Sequence, residues 1–165
     1  MKTLALDSSD EKLLEAVREW VSLLIEERCE DACAFLCNGT SSRQWTPELI
    51  ATLIENYGSR TSWHEGEIFK VTSLEEAKAD PPQHLPPCHD VHRWRDEDSE
   101  GVIWSLEGGK QIPIPMSDFP VHHDYIGYVW FDLPLNGYWS DLTATFDLRV
   151  LNGQVVLELN DIHVM

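Results

Sequence analysis

Positive charge is scarce in this chain. Twelve Lys and Arg stand against 29 Asp and Glu over 165 residues, a formal net charge of −17. Nucleic-acid binding relies on cations that neutralise phosphates, so DNA and RNA are excluded as expected partners. Anionic membrane surfaces are excluded on the same ground. Long apolar runs are missing too: none approaches the roughly 18 residues of a membrane span. Met1 to Leu6 is too short for the apolar core of a secretory signal, and acidic residues follow at once. A cytoplasmic location is therefore expected, with the four cysteines reduced and no cofactor. The sequence also lacks CxxC, GxSxG, a P-loop, GxGxxG and HExxH. Internal repeats and an interdomain linker are absent, so a single α+β domain spanning 1–165 is expected.

What the chain does contain is a globular composition, with 42% hydrophobic residues and seven tryptophans. The first third has helical periodicity. Ser8-Ser9-Asp10-Glu11 has the form of a capping box. Leu13, Leu14, Val17, Trp20, Val21 and Leu24 then share one face, which predicts a helix from about Ser9 to Glu27. A second helix is expected over Glu30–Cys37. A third begins at Thr46 and Pro47 and ends at Gly58. Cys29, Cys33 and Cys37, four apart, form one stripe that is expected to pack as small hydrophobes rather than hold a cluster.

After residue 66 the period changes to two. Strands are expected at 67–72, 102–106 and 125–133, with an irregular segment over 73–100 that contains a short helix at 73–79. Ile112-Pro113-Ile114-Pro115 is expected to be extended but never a central strand. The strongest local signal is Asn152-Gly153, the preferred type I′ turn. A two-residue loop there sets Val150 opposite Val155, Leu148 opposite Leu157 and Phe146 opposite Leu159, all on one face. The alternation shifts near Asp161, where a bulge is expected. Helices followed by antiparallel strands give an α+β fold of N-terminal helices on a curved sheet, closed by a C-terminal β-hairpin. That layout resembles the cystatin-like and NTF2-like domains.

Trp139-Ser140-Asp141-Leu142-Thr143, followed by Asn160-Asp161-Ile162-His163-Val164-Met165, resembles the ending of a small family of uncharacterised bacterial proteins. The resemblance covers roughly the last 30 residues and implies no activity. It marks Asp141, Asp161 and His163 as residues to locate.

Three constellations carry candidate chemistry. Cys88, His89 and His92 are potential zinc ligands, with His122 and His123 as a distant second pair. Adjacent histidines point apart on an extended chain, and a solvated polar loop explains the cluster as well. Asp161 and His163, two apart on a strand, face one side and are a candidate His–Asp base with Asp141 nearby. The alternative is a bonded pair that fixes the strand end. Finally, Tyr128 and Trp130 share one strand face, while Val129 and Phe131 share the other. One set is expected in the core and the other against a partner. With Trp94 and the acidic run Asp96, Glu97, Asp98 and Glu100, that set is the candidate partner-binding surface.

Two functions fit these features. The first is a non-enzymatic, acidic protein-binding domain of the immunity or antitoxin type, which neutralises a basic partner. The second is an NTF2-like small-molecule-binding or catalytic domain that uses the cone interior. A homodimer formed through the sheet is compatible with either.

Overall fold

A computed structural model describes residues 1–38, 44–61, 66–79, 86–93, 102–107, 110–115 and 124–164. Three helices come first: α1 (Asp10–Ile25), α2 (Cys29–Phe35) and α3 (Pro47–Glu55). The strands are β1 (Leu4–Ala5), β2 (His89–Arg93), β3 (Val102–Glu107), β4 (Lys110–Pro115), β5 (Tyr125–Leu135), β6 (Tyr138–Leu151) and β7 (Gln154–Val164). Five of them form a curled antiparallel sheet in the order β1-β7-β6-β5-β2, while β3 and β4 pair as a separate hairpin. The fold is α+β.

Helix α1 starts one residue later than the capping-box pattern predicts. Ser9, not Ser8, is the N-cap and accepts from the Lys12 amide. Ser8 is instead buried in a turn. Its amide donates to Ala5 and its carbonyl accepts from Arg93 of β2. Leu13, Val17, Trp20, Val21 and Leu24 are buried as the spacing requires. Trp20 is fully buried, meets Phe146 of β6 edge to face at 5.1 Å between ring centres, and donates its indole N–H to the Ala32 carbonyl. One indole thus ties α1 to both α2 and the sheet. Thr46 caps α3 and Pro47 occupies its first turn, as expected.

The C-terminal hairpin has the predicted register. Val150 faces Val155, Leu148 faces Leu157, Phe146 faces Leu159, and the shift falls where Thr145 meets Asp161. The side chains of Phe146, Leu148, Leu157 and Leu159 join those of Val129, Phe131 and Leu133 in the core under the helices.

Three expectations fail. Residues 67–72 make only a bridge between Val71 and Leu135, not a strand. Residues 73–79 do not form a helix. The Thr72 amide donates to Pro134, the Lys78 amide to Gly137, and the Trp139 amide to Lys78, so this segment is pinned to the β5–β6 turn. Tertiary hydrogen bonds override the local capping signal there. The third failure is the irregular segment over 73–100, because His89–Arg93 within it is a strand paired along its length with β5.

Candidate functional site

The sheet has two faces with different chemistry. The helical side carries Val129, Phe131, Ala144, Phe146, Leu157 and Ile162. On the other side, cross-strand pairing aligns His92, Tyr128, Asp147 and Glu158 in one row, and Asp90, Trp130, Thr145 and Asp161 in the next. A third row holds Asp132, Thr143 and His163. Alternation along each strand accounts for the separation.

This outer face is mostly polar, but much of it is not open to water. Thr143, Thr145, Val156 and Glu158 are buried. The burial of Glu158 is made tolerable by Arg149, whose Nε donates to Glu158 Oε2 at 2.7 Å. The same guanidinium reaches Asp124 at 3.4 Å and Asp147 at 3.7 Å, and lies 5.6 Å from the centre of the Tyr125 ring. Three carboxylates therefore share one cation. Asp147 has its pKa raised, first by burial and then by the charge of Glu158, which outweigh the lowering by Arg149.

Beside that cluster lies an aromatic row. His92 stacks on Tyr128 with 4.9 Å between ring centres, and Tyr128 meets Trp130 at 5.3 Å. All three are partly exposed, Asp90 is exposed, and Asp132 and Asp161 are partly so. Tyr128 and Trp130 thus share the outer face, while Val129 and Phe131 are fully buried on the inner one. The other candidate contacts, Trp94, Asp96, Glu97, Asp98 and Glu100, lie outside the described residues, as do His122 and His123.

The potential zinc ligands do not converge. His89 pairs with Phe131 and stacks on its ring at 3.9 Å on the helical side, whereas His92 is on the outer face. The two imidazoles are separated by the strand itself. Cys88 is exposed, and its amide donates to Asp132 Oδ2 at 2.6 Å. Among the described residues no group of three His, Cys, Asp or Glu side chains is placed to hold a metal ion.

His89 is nonetheless informative. It is wedged between Phe131 and Trp139, and burial holds its pKa below the ordinary 6.5. A histidine whose folded pKa is depressed favours the folded state above about 6.5 and loses that contribution as pH falls, because the unfolded chain protonates first. His89→Phe removes this titration. Its urea midpoint is expected to fall less steeply than that of the wild type from pH 6.5 downward. Parallel pH profiles would show that His89 is not sealed in the apolar site.

Asp161 and His163 share the outer face, with Asp161 Oδ2 3.7 Å from His163 Nδ1, beyond hydrogen-bond reach. Asp161 Oδ1 accepts from the Ile162 amide, which braces the bulge. Asp141, two residues before Thr143 on β6, accepts a hydrogen bond from the Tyr57 hydroxyl just after α3. Burial, followed by that bond to Asp141, pushes the Tyr57 phenol up to about 12. Gly58, at φ +80°, allows the close approach: an added Cβ would sit 3.1 Å from the Leu142 side chain and 3.4 Å from the His163 Cα. Asp141 thus fastens the end of α3 to β6. The buried Thr143 hydroxyl donates to Asp132 at 2.6 Å and bridges β6 to β5.

The cysteine stripe is borne out for Cys29 and Cys33 only, because α2 ends at Phe35 and Cys37 lies beyond it. Cys29 and Cys33 lie against the core, and the Cys37 amide donates to Leu157 of β7. Burial raises all three thiol pKa values, which keeps the unreactive protonated form.

Two features of the site escape the sequence reading. The Arg149 cluster brings together Asp147 of β6, Glu158 of β7 and Asp124 just before β5. The His92–Tyr128 stack requires β2 to be recognised as a strand. Comparison with family models, curated proteins and solved structures finds no match for the chain.

Proposed function

We propose that this protein is a non-enzymatic acidic binding domain of the immunity or antitoxin type, which captures a basic protein on the outer face of its sheet. The supporting observation is the composition of that face. Tyr128, Trp130 and His92 form a partly exposed aromatic row beside Asp90, Asp132 and Asp161. The one arginine among the described residues of that face, Arg149, is engaged by its own carboxylates. Aromatic anchors ringed by acidic groups suit a partner that presents Lys or Arg beside an apolar contact. The net charge of −17 would speed encounter with such a partner. Trp94 and the acidic run from Asp96 to Glu100 would extend the same surface, and a cytoplasmic setting fits this role.

We read the three helices and the curled sheet as a cystatin-like or NTF2-like cone. The alternative, a small-molecule or catalytic site inside that cone, would need Asp161 or His163 directed between helix and sheet. Both lie on the opposite face, and the interior is occupied by Trp20, Phe131 and Phe146. This arrangement favours the binding role.

The test is capture from the native host in parallel with a charge-matched acidic control protein. One basic protein should be enriched by the wild type and lost with Trp130→Ala. Its association rate should fall at least tenfold as salt rises from low to high, in keeping with electrostatic steering. Equal enrichment on the control, or recovery of a second copy of this chain alone, rejects the reading.

A further inference from the structure

A recess of about 350 Å³ opens on the helical side of the molecule, where the ends of α1 and α3 meet the segment around Phe69. Its walls include Leu24, Ile25, Ala51, Ile54, Phe69 and Val71. The rim carries Glu27, Glu55 and Lys70. We propose that this recess binds a small amphipathic cation, an alkyl- or arylamine whose apolar tail enters the cleft and whose ammonium group rests between Glu27 and Glu55.

The volume falls within the usual range for ligand sites, about 300–1,000 Å³, and the mix of apolar walls with a few polar groups at the mouth is typical of them. The charge of the head group follows from the rim. Lys70 Nζ is 2.5 Å from Glu27 Oε1, so the one cation among the described rim residues is already paired, and Glu55 adds a further negative charge. Both members of the Lys70–Glu27 pair are largely exposed, at 64% and 70%, so the pair is weak and can open to admit a competing ammonium. A carboxylate ligand would meet Glu27, Glu55 and the field of a −17 protein. The recess lies on the helical side of the fold, so its occupancy does not depend on the binding role proposed for the outer sheet face.

The test uses the full-length, isotope-labelled protein and three probes with the same tail: octylamine, octanol and octanoate. Octylamine should cause saturable shifts in the amide spectrum confined to residues 24–29, 51–55 and 69–72. Its affinity should exceed that of octanol and octanoate by at least tenfold. Glu55→Gln should weaken octylamine about two- to fivefold, the range for an exposed charge contact. Ala51→Leu, which fills the cleft from a helical position, should abolish saturation with every probe. If that variant unfolds, the location of the wild-type shifts still decides. Equal affinity for octanol or octanoate, shifts scattered over the acidic surface, or no saturation at millimolar probe overturns the proposal.

Discussion

Replacing Arg149 with leucine is expected to destabilise the protein by about 3–5 kcal/mol, the usual cost of removing one partner from a buried ion pair. Glu158 is 1% exposed, and Arg149 is the cation that compensates it. Without the guanidinium, Glu158 and Asp147 face each other across β6 and β7 as two carboxylates with little water. For a domain of this size the loss corresponds to a fall in Tm of about 6–20 °C. Two further measurements separate the charge effect from lost packing. The double replacement Arg149→Leu, Glu158→Leu should recover at least half the deficit, because a buried pair exchanged for apolar groups is often near neutral. The deficit of the single variant should also shrink in acid. An uncompensated buried carboxyl has a folded pKa above its unfolded value, so the penalty is full at neutral pH and is relieved as pH falls through the folded pKa. Asp147, already raised in the wild type, acts in the same direction. A loss below about 1 kcal/mol, the level of an exposed pair, would mean that water reaches Glu158 and compensates it.

The same residues show how much of the molecule was legible in its sequence. The β6–β7 hairpin was, down to each cross-strand pair, because Asn152-Gly153 and the apolar alternation specify one register independently. Helix α3 was legible because Thr46 and Pro47 act through local geometry alone. A second hairpin of the same kind went unread. Asn136 and Gly137, at φ +51° and +88°, join β5 to β6 by the same turn chemistry. There Pro134 breaks the strand pattern, and a register shift between Asp132 and Pro134 accommodates it.

Strand β2 was hidden for another reason. Cys88-His89-Asp90-Val91-His92 has no apolar alternation, because one inward position is filled by His89, which behaves as an aromatic ring against Phe131. The residues that attract attention as metal ligands are the same ones that disguise the strand. Of the candidate site, the partition of Tyr128 and Trp130 from Val129 and Phe131 followed from alternation alone. Which set faced the helices depended on tertiary packing. The Arg149 cluster is non-local, since its members lie on β6, on β7 and in the residue before β5, and no local pattern announces it.

Gly127→Ala is expected to detach β2 from the sheet. Gly127 lies at φ +149°, a backbone conformation that costs a residue with a side chain about 1–3 kcal/mol. Space is the larger obstacle. An added Cβ would lie 2.1 Å from the His92 carbonyl oxygen and 2.9 Å from the Arg93 Cα. Both are backbone atoms of the neighbouring strand, so no rotamer change relieves the contact. The cheapest escape is for β2 to move away, because it is an edge strand of the five-stranded sheet while β5 is held by β6. Several contacts leave with it: His89 on Phe131, His92 on Tyr128, and Arg93 on Asp10 and the Ser8 carbonyl. Hydrogen exchange should show lost protection at the amides of 89–93, with protection retained across β6 and β7, where the core of the sheet is intact. Far-UV circular dichroism should change little. Capture of a basic partner should weaken together with the exchange protection, since the aromatic row would lose His92 and the acidic rim would lose Asp90. Full protection in β2 with unchanged capture would mean that the strand tolerates a methyl group at its closest approach, and that β2 does not order the outer face.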